Sequence, residues 1–431
     1  MPLEGQERRK KYRPYHFMFA IYAVFVVFAF ILSTPMEIVQ GLWRIITCRS
    51  VLISDYMAVG GMGAALINAV LVGVFSILVQ VSVKTRPNGS TLMAMWFSTA
   101  FALFGKNLFN MWPLTFGVWL YAKVKKEPFK NFTLMALLSA TVSLVISAIC
   151  FHPDIPFYIA FPLGIGMGVL VGFIFPAVAA YTVRVHNGYS LYNAGFAGGL
   201  ISTFVMSGFA AVDIPIENAT DWYVGGDVPL AVLLYIVSAM LMLYGLFGNG
   251  RLEIPPYREI MKTSGRVVTD YLVNFGNAAY FNMGLLCAAA TTLMLVLKAD
   301  INGATMCGIF SIVACGAFGK HLRNVTPVVI GAIICTIVNK YDPVAPANTL
   351  AILFCTGLAP IAGQFGPIWG VITGFLHVNT VTHIGFLNSG LNLYNNGYAT
   401  GFMCLLLVPI ITAFHKEERR RLVRRKDRGN E

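Results

Sequence analysis

Long uninterrupted apolar runs dominate this chain, and short polar or charged loops separate them. Ten runs have the length of one hydrocarbon crossing: 16–33, 58–83, 131–152, 156–183, 190–211, 229–248, 272–298, 347–363, 367–381 and 385–414. Because a helix rises 1.5 Å per residue, about 20 apolar residues span a bilayer. The pattern therefore predicts an all-α integral membrane protein with about ten transmembrane helices. Two further runs, 91–124 and 305–339, are too long for an ordinary crossing, and each is interrupted by polar residues. They are expected to be re-entrant or broken helical hairpins. The stretch 34–57 is polar and amphipathic.

The two interruptions are copies of one another. Phe104-Gly105-Lys106-Asn107-Leu108-Phe109-Asn110-Met111-Trp112-Pro113 returns 214 positions later as Phe318-Gly319-Lys320-His321-Leu322-Arg323-Asn324-Val325-Thr326-Pro327. Both read F-G-K-x-x-x-N-x-x-P, with Gly117 and Gly331 four residues on. A second pair, L-Y-N-x-G-[FY]-A-x-G, begins at Leu191 and Leu393, 202 positions apart. Asp55-Tyr56 and Asn88-Gly89 recur as Asp270-Tyr271 and Asn302-Gly303. Order-preserving pairs of this specificity mark an internal duplication. The chain divides into a basic tail (1–15), a first span (16–33), repeat 1 (52–215), a connecting span (229–248), a basic linker (249–267), repeat 2 (268–414) and a second basic tail (415–431).

Composition and charge set the environment. Of 431 residues 57% are hydrophobic and 12% charged, with a mean hydropathy of +0.70, which excludes a soluble domain. The net charge of +12 sits mostly at the two ends, from Arg8 to Arg13 and from Lys416 to Arg428. That distribution points to anionic lipid headgroups and not to nucleic acid. The positive-inside rule then places both termini in the cytoplasm of a multi-pass protein of the bacterial inner (plasma) membrane. The loop 212–228 holds Asp213, Glu217, Asp221 and Asp227 without Lys or Arg and belongs outside. Lys84, Arg86, Lys123, Lys125, Lys126, Lys130 and Arg184 belong inside. With Lys84 and Lys130 on one side, 91–124 enters and leaves on that side, and the repeats are inverted.

A lysine inside hydrocarbon-seeking sequence costs roughly 2.5–3.5 kcal/mol and reads by default as functional. Lys106 and Lys320 are thus candidates for an anionic ligand, against the alternative of snorkelling to an interface. Asn107, Asn110, His321 and Asn324 supply donors and acceptors beside them. Pro113 and Pro327 are expected to free the carbonyls of Phe109 and Arg323. The pairs Tyr192-Asn193 and Tyr394-Asn395 can line a polar path, while the neighbouring glycines suit helix packing equally well. No catalytic residue, metal site or cofactor is expected. The eight cysteines stand apart without C-x-x-C spacing, and His377 and His383, six residues apart, fall on different helix faces. No carboxylate lies mid-span, which disfavours a proton relay and leaves histidine, or sodium held on backbone carbonyls, as coupling elements.

The paired F-G-K-x-x-x-N-x-x-P and L-Y-N-x-G-[FY]-A-x-G motifs resemble an uncharacterised bacterial family of polytopic membrane proteins, of the domain-of-unknown-function kind, from about Val51 to Phe414. That resemblance brings no activity. More loosely, Asn110, Pro113 and Gly117 with Tyr192 and Asn193, and Asn324, Pro327 and Gly331 with Tyr394 and Asn395, are similar to the elements of urea transporters. This second likeness is architectural. The expected function is a transporter or channel for a small polar or anionic solute, bound centrally between the repeats by Lys106, Asn107, Asn110, Lys320, His321, Asn324 and the Tyr-Asn pairs, and not an enzyme. An intramembrane enzyme acting on a lipid or small substrate, and a membrane scaffold or signalling protein, are the alternatives. Assembly into a homo-oligomer is left open.

Overall fold

The computed structural model describes residues 2–50, 53–211, 220–266, 269–388, 391–393 and 395–428. Tyr394 therefore lies outside the described residues. The first half contains α1 (Pro2–Leu32), α2 (Pro35–Thr47), α3 (Tyr56–Gly60), α4 (Met62–Ser82), α5 (Gly89–Phe101), α6 (Leu108–Val124), α7 (Thr133–Leu138), α8 (Leu144–Cys150), α9 (Phe157–Val185) and α10 (Asn193–Ala210). The second contains α11 (Asp227–Phe247), α12 (Tyr257–Ile260), α13 (Tyr271–Phe275), α14 (Ala278–Leu297), α15 (Gly303–Gly316), α16 (Leu322–Val338), α17 (Pro346–Phe354), α18 (Ala359–Phe365), α19 (Pro367–Ile384) and α20 (Asn395–Arg428).

Among the described residues eight helical stretches are long and apolar enough to cross a membrane, and a ninth is the bent pair that contains α7 and α8. The tenth expected crossing, α10, has 18 residues rich in glycine and serine and falls short of that apolarity. The amphipathic stretch after the first span forms α2, opened by Pro35 and by a reciprocal capping box between Thr34 and Glu37. It buries Ile38 and Ile45 and leaves Met36, Val39 and Trp43 exposed.

The two overlong runs fold as helical hairpins, α5–α6 and α15–α16. Their turns need a left-handed residue, and Gly105 (φ +87°) and Gly319 (φ +113°) provide it without a Cβ clash. Two residues later Asn107 and His321 cap α6 and α16. Each accepts from the backbone N–H of Asn110 or Asn324, whose side chain accepts from the backbone N–H of the capping residue. The break thus falls at Gly-Lys-Asn and Gly-Lys-His. Pro113 and Pro327 lie inside continuous helices and do not end them, contrary to the breaking role expected from sequence.

Helices α5 and α15 are the centre of the molecule. Every residue of α15, and all of α5 except Ser90, is buried. They lie side by side and antiparallel: a Cβ at Gly89 would fall 2.6 Å from the Ala317 carbonyl oxygen, and one at Gly303 would fall 2.6 Å from that of Leu103. The repeats are therefore inverted. The runs 131–152 and 347–363 are discontinuous helices. A 3-10 segment, Ser139–Val142, continues α7 and meets α8 at a 47° bend, and Cys355–Leu358 separates α17 from α18. Outside them α9 packs on α6 and α19 on α16 at glycines with no room for a side chain. A Cβ at Gly117 would fall 2.2 Å from the Val169 oxygen, and one at Gly331 would fall 1.9 Å from that of Val371.

The structural repeat is larger than the motif pairs suggest. Helix α1 packs along α4 as α11 packs along α14. Tyr22 closes over Gly73, and the equivalent Cys287 donates to the Leu234 carbonyl. The spans 16–33 and 229–248, set outside the repeats by sequence pairing, are equivalent first helices of two ten-helix halves.

Candidate substrate site between the hairpins

Each hairpin turn is held by one asparagine from the preceding helix. Asn68 Nδ2 donates to the carbonyls of Ala102 (2.6 Å) and Lys106 (2.9 Å), and Asn282 Nδ2 to those of Gly316 and Lys320, both at 2.7 Å. These amides satisfy carbonyls that the turn removes from its helix, as a break at bilayer depth requires. They also direct the two lysines inward. Lys106 is 1% exposed and Lys320 fully buried.

Both ammonium groups end at the breaks in the discontinuous helices. Lys106 Nζ lies 3.5 Å from the Leu137 carbonyl, in the last turn of α7, where a helix C-terminus favours a cation. Lys320 Nζ donates to Thr356 Oγ1 (2.8 Å) and to the Tyr192 hydroxyl, and stands 4.4 Å from the Tyr192 ring centroid. Among the described residues neither lysine joins a salt bridge. A buried cation with no carboxylate is costly unless something else neutralises it.

Two cavities flank this layer at equivalent positions. The larger, about 150 Å³, is walled by α5, α7 and α9 and floored by Leu191, Tyr192 and Phe318. The smaller, about 80 Å³, is lined by the counterparts Leu350, Val381, Leu393 and Phe104. Phe97, Phe101, Tyr192 and Phe354 form a chain of ring contacts, 5.9–6.3 Å between centroids, joining Phe97 in the large cavity to Phe354 in the small one. A polar cavity of about 170 Å³ shares Ser90 and Leu134 with the larger one and is lined by Gln80, Thr85, Asn88, Lys130 and Asn131.

The structure gathers Lys320 and Tyr192, and separates the other expected residues from them. Asn107 holds the turn to the rest of its repeat, donating to the Ile45 carbonyl and the Tyr56 hydroxyl. Asn110 donates to the Gly105 carbonyl and Ser147. His321 and Asn324 line a different polar cavity, about 210 Å³, with Lys262, Thr263 and Arg323. Pro113 and Pro327 pack near Gly168 and Gly370 of α9 and α19. Asn193 lines the edge of the large cavity while bonding Thr182 (2.7 Å) and His186 (2.9 Å), and Asn395 lines the small cavity. The glycines of the second motif serve packing: a Cβ at Gly397 would fall 2.9 Å from Gly195 Cα where α10 meets α20. His377 faces Asn396 at 3.1 Å, and His383 is exposed. Asn68, Asn282 and Thr356 were not singled out from sequence, although Asn68 and Asn282 stand at the same 214-residue offset as the lysines.

Opposed re-entrant hairpins, discontinuous helices and inverted halves define a polytopic helical membrane protein of the inverted-repeat class. A family model described as "Protein of unknown function (DUF1576)" matches residues 34–211 and 251–413, two segments that follow the two repeats, and the chain belongs to that family. No curated protein and no solved structure matches it. The likeness to urea transporters gains no support from these comparisons.

Proposed function

We propose that the protein moves a small anionic or polar solute across the bacterial inner membrane, with both termini cytoplasmic, by exposing one central site to each side in turn. The carrying observation is the pair of buried lysines at equivalent positions of inverted halves, neither in a salt bridge among the described residues. The unequal flanking cavities support alternating exposure: exchanging the conformations of the two halves would open the smaller and close the larger. The test is uptake of a panel of radiolabelled anions and amides by proteoliposomes, with and without a sodium gradient. Wild-type protein is expected to accumulate at least one anion, and Lys106→Met and Lys320→Met to lose that flux while inserting normally. Undiminished uptake by both variants would overturn the assignment.

A further inference from the structure

Resting on that reading, we propose that the solute is an organic monocarboxylate whose apolar body is about the size of a benzene ring. The larger cavity joins two chemistries that an inorganic ion does not need. Its walls are almost entirely apolar, with Met93, Phe97, Leu134, Met135, Leu138 and Phe175 among them. A hydrated ion entering there would shed water and meet few polar partners, Ser90, Ser190 and Asn193 being the polar side chains in the lining besides Tyr192. The positive charge lies behind the floor: Lys320 does not line the cavity, but its ammonium stands 4.4 Å from the centroid of the Tyr192 ring that does. In an apolar setting its field reaches a carboxylate placed at Tyr192. Lys320 donates to the Tyr192 hydroxyl and to Thr356 Oγ1, neither of which carries a charge, so its own charge is left for the solute to balance.

Volume sets the body. A cavity of about 150 Å³ lined by Leu, Met and Phe is the size that takes up benzene. A carboxylate on such a ring would stand at Tyr192 with the ring in the apolar chamber. The smaller cavity has the same character, with Ile53, Phe104, Leu350, Phe354 and Leu393 in its walls, so the apolar lining belongs to both sides of the path. The class covers benzoate and aliphatic carboxylates of four to six carbons, whose affinity would climb with chain length until the chamber is full.

Ligand-induced thermal shifts and uptake on the purified full-length protein test this with acetate, butyrate, hexanoate, benzoate, benzamide, phosphate and chloride. Benzoate is expected to bind at least tenfold more tightly than acetate, and each added methylene to improve binding about fourfold, equivalent to ~0.8 kcal/mol. Benzamide, lacking the charge, is expected to fall at least tenfold below benzoate. Ala179→Phe and Met135→Trp each fill the chamber without touching a lysine. Ala179 and Met135 both line the chamber, and both variants are expected to lose benzoate tenfold or more and so to narrow its advantage over acetate; whichever variant folds supplies the answer. Lysine-dependent uptake of phosphate or chloride in preference to benzoate would overturn this proposal and leave the transporter reading standing. Tight benzoate binding with no flux of any solute would do the reverse.

Discussion

Asp55 and Asp270 each cap a helix of the opposite half. Asp270 accepts from the backbone N–H of Val273 at the start of α13 and, with both oxygens (2.9 and 3.0 Å), from the Gly89 N–H that begins α5. Asp55 accepts from Met57 at the start of α3, from Tyr223, and from the Gly303 N–H that begins α15. The two central helices therefore have their positive ends neutralised in trans. Asp270→Ala strands the amides of Gly89 and Val273 and is expected to cost about 1–3 kcal/mol in denaturant unfolding, with Asp270→Asn recovering part of it. An unchanged unfolding midpoint for the alanine variant would contradict the cap.

The same clamp predicts a pH dependence. Asp55 precedes α3, outside the membrane-spanning helices, and burial pushes its carboxyl up to about 7, with the nearby Asp221 adding to the rise and the backbone donors opposing it. A folded-state value above the ordinary carboxylate range means that the native protein holds this proton more tightly than the unfolded chain. The resulting stability is complete below about pH 4 and is lost as the pH rises through 7. Asp55→Asn removes that dependence. Its midpoint relative to wild type is expected to rise between pH 5 and pH 8 in parallel thermal scans.

The hairpin turns rest on single side chains. Asn68→Leu leaves the carbonyls of Ala102 and Lys106 buried without their donor, and Asn282→Leu does the same to Gly316 and Lys320. Each is expected to lower stability by about 2–4 kcal/mol and to depress transport by more than the corresponding loss of folded protein. Uptake normalised to folded protein separates the two effects.

Glycine contacts offer an internal contrast. Gly331→Ala would drive its methyl onto the Val371 carbonyl between α16 and α19, and a loss of about 1–3 kcal/mol is expected. Gly166→Ala, on the exposed face of α9 with nothing within 4 Å, is expected to be neutral or to stabilise by up to about 1 kcal/mol. Equal behaviour of the two variants would discount the close helix approach.

The duplication, the hairpins and the inverted arrangement were legible because they rest on chemistry that hydrocarbon makes rare, such as Lys106 and Lys320 with their flanking Gly and Pro. Side-chain direction was not legible. Asn107, Asn110 and Asn324 read as ligands because a polar residue in an apolar run needs a partner. The partners proved to be the backbone of their own turn together with neighbouring groups such as the Ile45 carbonyl and the Tyr56 and Ser147 hydroxyls. The aromatic contacts of Phe97, Tyr192 and Phe354 bring together residues far apart in sequence and left no local signal. Asp55 and Asp270 looked like ordinary span entrances, since their acceptor role is completed only across the interface of the halves.

That completion has a consequence for biosynthesis. The Gly89 amide waits for a carboxylate 181 residues downstream. At 5–20 residues per second the ribosome needs about 10–35 s to cover that distance. During this interval the first hairpin sits in the membrane with the start of its central helix unclosed. The first half of the chain is thus a nascent form that its own second half must finish, and a truncation after α10 would leave the hairpin exposed to quality-control proteases.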